Sequence, residues 1–198
     1  MKQKITLKIF MLVCGLLLSA FTNATMVRQM NLGELTGHAD KIFRGTVIKV
    51  ESGTISAGGA ELSTVKYVFR VSDLLKGNIS SANAKGGDTF EITMLGRLKN
   101  KSSQSPIKNV SGFKLPVLKN GAEYLLFTTK PSQIGLSMMV GVGQGTFRFV
   151  EDGKVMNEAK NAGLFRDMNN QSMPIRGAIS YSDLSDEIHE LVAKQGGK

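Results

Sequence analysis

Thr64-Val65-Lys66-Tyr67-Val68-Phe69-Arg70-Val71 is the stretch on which the fold turns. Val65, Tyr67, Phe69 and Val71 alternate with Lys66 and Arg70, the period-two pattern of a strand with one buried face. It runs into Leu74-Leu75-Lys76-Gly77, which reads as a turn. Upstream, the β-branched run Lys41 to Val50 ends at Ser52-Gly53 and reads as another strand, with a glycine-containing loop over Ser56 to Ala60. Before it, Asn31 to Asp40 predicts a short helix capped by Asn31, with Glu34 completing a capping box and Leu32, Leu35 and Ala39 on one side.

Downstream, Thr89 to Leu95 and Glu123 to Thr129 read as strands three and four, Leu136 to Val140 as strand five and Gly145 to Val150 as strand six. Glu151-Asp152-Gly153-Lys154 supplies a turn into a short return strand at Lys154 to Met156. Residues 158–180 show no clear periodicity. Asp183 to Gln195 predicts a helix capped by Ser182, with Leu184, Ile188, Leu191 and Val192 as its apolar stripe. Short strands between terminal helices predict a mainly β fold, a small OB-like barrel of five to six strands, because closure removes exposed edges.

The chain opens on Lys2, Lys4 and Lys8, continues with an apolar run from Ile9 to Ala20, and leaves it through Phe21-Thr22-Asn23-Ala24. A basic start, a greasy stretch of about a dozen residues and small side chains at Thr22 and Ala24 predict a secretory signal peptide over residues 1–24, with cleavage after Ala20 as the alternative. That run is short of the roughly 20 residues that span a bilayer, so no transmembrane segment is expected once the signal is gone. Residues 25–198 are then one β-rich domain, periplasmic or secreted from a bacterium. Cys14 is the only cysteine, so the exported chain has no disulfide, thiol nucleophile or thiolate metal site. Loss of three lysines and no acids takes the formal charge from +9 to +6.

No catalytic or metal-binding set emerges from the residues, and no cofactor is expected. His38 and His189 lie near opposite ends of the chain, and His189-Glu190 lacks the second histidine of a zinc-protease helix. Gly141-Val142-Gly143-Gln144-Gly145 has the look of a phosphate loop, but a strand pattern follows it where a helix N-terminus is required, so its glycines predict a bulge or tight turn. Thioethers can bind cuprous copper, yet the methionines form no Met-x-Met cluster and read as adaptable core filling.

One feature is out of the ordinary. Arg97, Lys99, Lys101, Lys108, Lys114 and Lys119 fall in a stretch without an acid from Ile92 to Ala122, and these six charges equal the whole net charge left after signal removal. Residues 96–120 are otherwise polar and predict a long loop that carries a positive field on one rim of the domain. The expected partner is an acidic envelope protein, an acidic polysaccharide or an anionic lipid surface. Nucleic acid is not expected, since Phe113 alone supplies an aromatic ring in that stretch. The reading is an exported, non-enzymatic binding or accessory protein that makes contact through the basic loop at 96–120. The alternatives are a protease inhibitor acting by loop insertion and a hydrolase using carboxylates.

Four segments together resemble a loose group of exported bacterial proteins of unknown function. They are Ala39 to Val47, the Thr64 strand with Leu75-Lys76-Gly77, Gly121 to Phe127, and Gly141 to Phe147. In that group A-D-x-I-x-x-G-x-V, L-K-G, G-x-x-Y-L-x-F and Q-G-x-F recur in the same order. The resemblance spans about residues 30–150 and implies an OB-like β-barrel similar in outline to tissue inhibitors of metalloproteases. It implies no established activity. Those inhibitors reach zinc through an N-terminal cysteine, and this chain has none beyond Cys14.

Overall fold

A computed structural model of the chain describes residues 28–79, 88–96, 98, 116–168 and 174–196. The expected signal peptide lies outside them. Helix α1, Leu32–His38, forms because Asn31 caps it in both directions: its side chain accepts from the Glu34 N–H at 2.9 Å and its own N–H donates to Glu34 Oε2 at 3.0 Å. Ala39 is already extended, and the Asp40 N–H donates to Thr128 O at 2.8 Å, so the helix stops two residues before the predicted Asp40.

Strands β1, Lys41–Ala57, and β2, Ala60–Lys76, make one antiparallel hairpin that runs from the Ile42–Lys76 pair to the Ala57–Ala60 pair. The turn between them is Gly58-Gly59, both at positive φ, as a two-residue hairpin loop requires. Both strands are longer than the sequence suggests. Residues 51–63 lack apolar alternation, and cross-strand backbone pairing extends them as a ribbon beyond the neighbouring strands. Leu74-Leu75-Lys76, expected in a turn, is the end of β2.

Strand β3, Thr89–Leu95, pairs with β2, and β4, Glu123–Thr128, pairs with β1. Then β5, Thr146–Phe149, β6, Lys154–Met156, and β7, Ile179–Ser180, add in turn, giving the order β3-β2-β1-β4-β5-β6-β7. Helix α2, Tyr181–Gly196, follows directly. It begins before the predicted Asp183, and Ser182, the predicted cap, lies inside it, one residue after its start. Among the described residues no helix is long and apolar enough to cross a membrane.

The expected five- to six-stranded OB-like barrel is overturned. The described sheet is open, all antiparallel and seven-stranded, with β3 and β7 as its edges. Leu136 to Val140 is not a strand: Met139 makes one bridge to Thr128, and the chain then enters a tight turn at Val140–Gly143. A single backbone bond, Ser137 N–H to Thr93 O at 2.9 Å, ties this segment to β3, and one bond is not a ladder.

The sheet instead buries both faces. On one, here the helix face, α1 and α2 cover Ile42, Leu125, Phe127, Phe147 and Val155. On the other, the strap face, Phe43, Tyr67, Phe69, Met94 and Leu126 pack with Leu118 and Met139 from irregular chain. Phe43 meets Phe69 and Phe90 edge-on there, at 5.3 and 5.2 Å between ring centroids. Double coverage is why Tyr124-Leu125-Leu126-Phe127 is a continuous apolar run: each of its side chains has a core to enter.

Four of the segments read in the sequence meet pairwise in this arrangement. A Cβ on Gly77, which sits at φ +88°, would lie 2.7 Å from Asp40 O, so L-K-G packs against A-D. A Cβ on Gly145 would lie 2.7 Å from the Phe127 Cβ, and the Phe127 and Phe147 rings stand 5.6 Å apart, so Q-G-x-F packs against G-x-x-Y-L-x-F.

Candidate functional site

The Gly141–Gly145 run serves the fold. Gly141, Val142 and Gly143 all have positive φ, and β5 follows rather than a helix. Gln144 then clamps the segment before α1: its Oε1 accepts from the Met30 N–H at 2.8 Å and its Nε2 donates to Arg28 O at 2.9 Å. Asn157 Nδ2 donates to the Gln144 carbonyl at 3.2 Å, so the Gln144 amide and carbonyl are used in holding chain segments together.

A larger polar network stands at one end of the helix face. Arg44 of β1 makes two bonds to Glu123 of β4, Nε to Oε1 at 2.8 Å and Nη2 to Oε2 at 3.0 Å. Its guanidinium also lies 4.5 Å from the ring centroid of Phe149 and 4.8 Å from that of Tyr181. The Tyr181 hydroxyl donates to Asp73 Oδ2 at 2.6 Å; burial, and after it the Asp73 carboxylate, push that hydroxyl well above the ordinary tyrosine range. The network joins β1, β2, β4, β5 and α2, and both oxygens of Glu123 are occupied.

On the strap face directly behind it is a cavity of about 760 Å³, within the range of small-molecule sites. Strand alternation builds its floor. Arg148 of β5 stands between its register partners Tyr124 of β4 and Met156 of β6, and Thr146 is two residues along on the same face. Pro116 to Lys119 crosses over this floor as a strap. It is anchored by the Lys119 N–H, which donates to the Tyr124 hydroxyl at 3.1 Å, and by Leu118, which is buried in the strap-face core. Beyond the strap, the Gly121 N–H donates to Val47 O at 2.8 Å and the Val47 N–H to Ala122 O at 3.0 Å.

The electrostatics of the cavity are uneven. Lys119 and Arg148 are exposed and make no ion pair among the described residues. Of the lining carboxylates, Glu123 is held by Arg44, which leaves Glu158 on the rim. The Thr146 hydroxyl is buried and has no hydrogen-bond partner. Among the described residues the buried Thr36 hydroxyl is likewise unpartnered, the Tyr67 hydroxyl has only the Leu118 backbone near it, and neither lines the cavity.

Of the six basic residues singled out in the sequence, Arg97, Lys99, Lys101, Lys108 and Lys114 lie outside the described residues, and Lys119 is the one placed at the cavity. Arg148, Thr146 and Tyr124 were not singled out. Arg148 carried a faint signal as the lone charge between Phe147 and Phe149, which places it opposite them, away from the helix-face core. His38 and His189 are both exposed, one on each helix, and among the described residues no group of three or more His, Cys, Asp or Glu could hold a metal ion. No protein-family model matches the chain, and no curated protein matches it.

Proposed function

We propose that the chain is a non-catalytic binding or accessory protein that acts outside the cytoplasm and recognises an anionic partner through the basic segment at 96–120. The observation that carries this reading is the position of Lys119, the last cation of that segment. It borders a cavity that a second unpaired cation, Arg148, also lines. Two unpaired cations beside an open concavity raise the local concentration of anions and steer their approach. The apolar share of the lining, with Pro116, Leu118 and Met156, gives a partner something to bury once it arrives.

The test is a pull-down from an envelope fraction with the wild-type chain and with a variant carrying Gln at Arg97, Lys99, Lys101, Lys108, Lys114 and Lys119. The reading requires the neutralised variant to lose the partner, and the loss in wild type to be mimicked by added salt. Undiminished recovery by the variant would sink it.

A second reading, protease inhibition by loop insertion, has one observation behind it. The loop after β4 is braced internally, with the Ser132 N–H bonded to Leu136 O at 2.8 Å and the Leu136 N–H to Ser132 Oγ at 3.1 Å, and it displays Ile134 at 42% exposure. Residual-activity assays against secreted proteases separate the two: inhibition abolished by Ile134→Asp would favour this reading over the first.

A further inference from the structure

We infer that the cavity between β4–β6 and the 116–119 strap takes a compact monocarboxylate with an apolar body. The inference rests on the binding reading above and names the ligand class. Each half of that ligand follows from a group that the fold leaves unused.

The head is argued from donors. Thr146 is 8% exposed as a residue, its hydroxyl is buried and, among the described residues, without a partner, and a buried hydroxyl left unmade is costly unless something else satisfies it. The Tyr124 oxygen already accepts from the Lys119 N–H, so its own proton is the group left to offer a ligand. Arg148 stands beside Tyr124 across the strand pair and brings a guanidinium whose fork suits a carboxylate. Hydroxyl, phenol and guanidinium on one face of two strands can all donate, and the guanidinium can do nothing else, so the group that suits all three is an acceptor with negative charge.

The charge is argued to be single. Lys119 and Arg148 contribute two positive charges, Glu158 on the rim returns one negative, and Glu123 is neutralised by Arg44. A polyanion would meet Glu158 as a like charge; a monoanion leaves the site close to balance. The body is argued from the apolar walls on that face, Pro116, Leu118 and Met156, whose side chains offer no partner to a polar chain.

The test is isothermal titration of the purified protein with four probes: octanoate, octylamine, inorganic phosphate and acetyl-leucyl-phenylalanine with a free carboxylate. Octanoate is expected to bind saturably and at least about tenfold more tightly than octylamine, the scale of one charge-assisted hydrogen bond. Arg148→Gln is expected to weaken octanoate by about tenfold and Thr146→Val by several-fold, with the thermal midpoint of the ligand-free Thr146→Val protein no lower than wild type. Peptide acid bound as well as octanoate assigns the ligand to a peptide C-terminus; octanoate bound alone assigns it to a free alkyl acid. Octylamine or phosphate bound as tightly as octanoate overturns the assignment, as does an unchanged affinity in Thr146→Val or the absence of binding by every probe. Such a failure, with the envelope pull-down still dependent on the basic segment, removes the cavity ligand and leaves the binding reading in place.

Discussion

On the helix face, α1 and α2 lie over Leu125, Phe127, Phe147 and Val155, and the charged groups and amides at its margins pair, Arg44 with Glu123, Tyr181 with Asp73, and Asn157 with Asn161 in two reciprocal bonds of 2.9 and 2.8 Å, while the buried Thr36 hydroxyl of α1 is unpartnered among the described residues. On the strap face, irregular chain does the covering, and toward β5 and β6 it leaves a concavity with an unpartnered hydroxyl and two unpaired cations. A helix presents a regular apolar stripe that can fill a sheet face without gaps. The described strap residues 116–119 are irregular chain, fixed by buried Leu118 and by the Lys119 N–H bond to Tyr124, and present no such stripe. The sheet thus has one face for stability and one with room for a ligand.

The largest expected effect probes the packed side. Phe147→Ala removes a fully buried ring and its contact with Phe127, and should cost about 3–5 kcal/mol in urea denaturation. Leu118→Ala on the strap face should cost about 2 kcal/mol, the low end for a buried leucine, because irregular chain can settle into the space. Equal costs at the two positions would erase the distinction between the faces.

Arg44→Met sharpens it from the polar side. It removes both bonds to Glu123, but the two side chains are about a third exposed, at 33% and 29%, so solvent screens the pair and the expected loss is about 1–2 kcal/mol. A larger loss would mean that the network, rather than the helices, holds that end of the sheet. Thr146→Val should move the other way and stabilise the ligand-free protein by about 1 kcal/mol, since it replaces an unsatisfied hydroxyl with a methyl group of the same shape. A destabilised Thr146→Val protein would show that the hydroxyl already has a partner.

The smallest effect is a pH dependence at the start of α1. The Asn31 N–H, and after it the charge of Arg28, hold the Glu34 carboxyl below its ordinary range. The folded state therefore favours the ionised form, so this stabilisation is fully present above the ordinary glutamate value of about 4.3 and is lost as pH falls through the lowered value. The difference in melting temperature between wild type and Glu34→Gln should be constant near neutrality and shrink below about pH 4. A difference that persists unchanged into acid would assign the effect to packing.

Much of the local structure was legible. The Asn31–Glu34 box, the alternation of Val65, Tyr67 and Phe69, and strand Thr89–Leu95 stand where the residue pattern put them. Each depends on neighbours within a few positions, where sterics and side-chain period act directly. Three features were missed for one shared reason. The hairpin ribbon at 51–63 pairs without apolar alternation, β7 is two residues long, and Leu136 to Val140 has strand composition without a strand partner beyond Met139 among the described residues. Pairing partners are set by tertiary context, which composition does not encode. The continuous run Tyr124 to Phe127 did carry a signal against a barrel wall, whose residues would alternate between inside and outside.

By itself, the sequence determined which residues lie on opposite sides of the central part of β2, where α1 is capped, and that positive charge concentrates between Ile92 and Ala122. Only the tertiary structure decided that the sheet stays open, which face the helices cover, and that Lys119, Tyr124, Thr146 and Arg148 surround one cavity. The physical reason is that side-chain period is a local property of the backbone. Register between β4, β5 and β6 and the path of the strap are set by contacts among segments far apart in the chain.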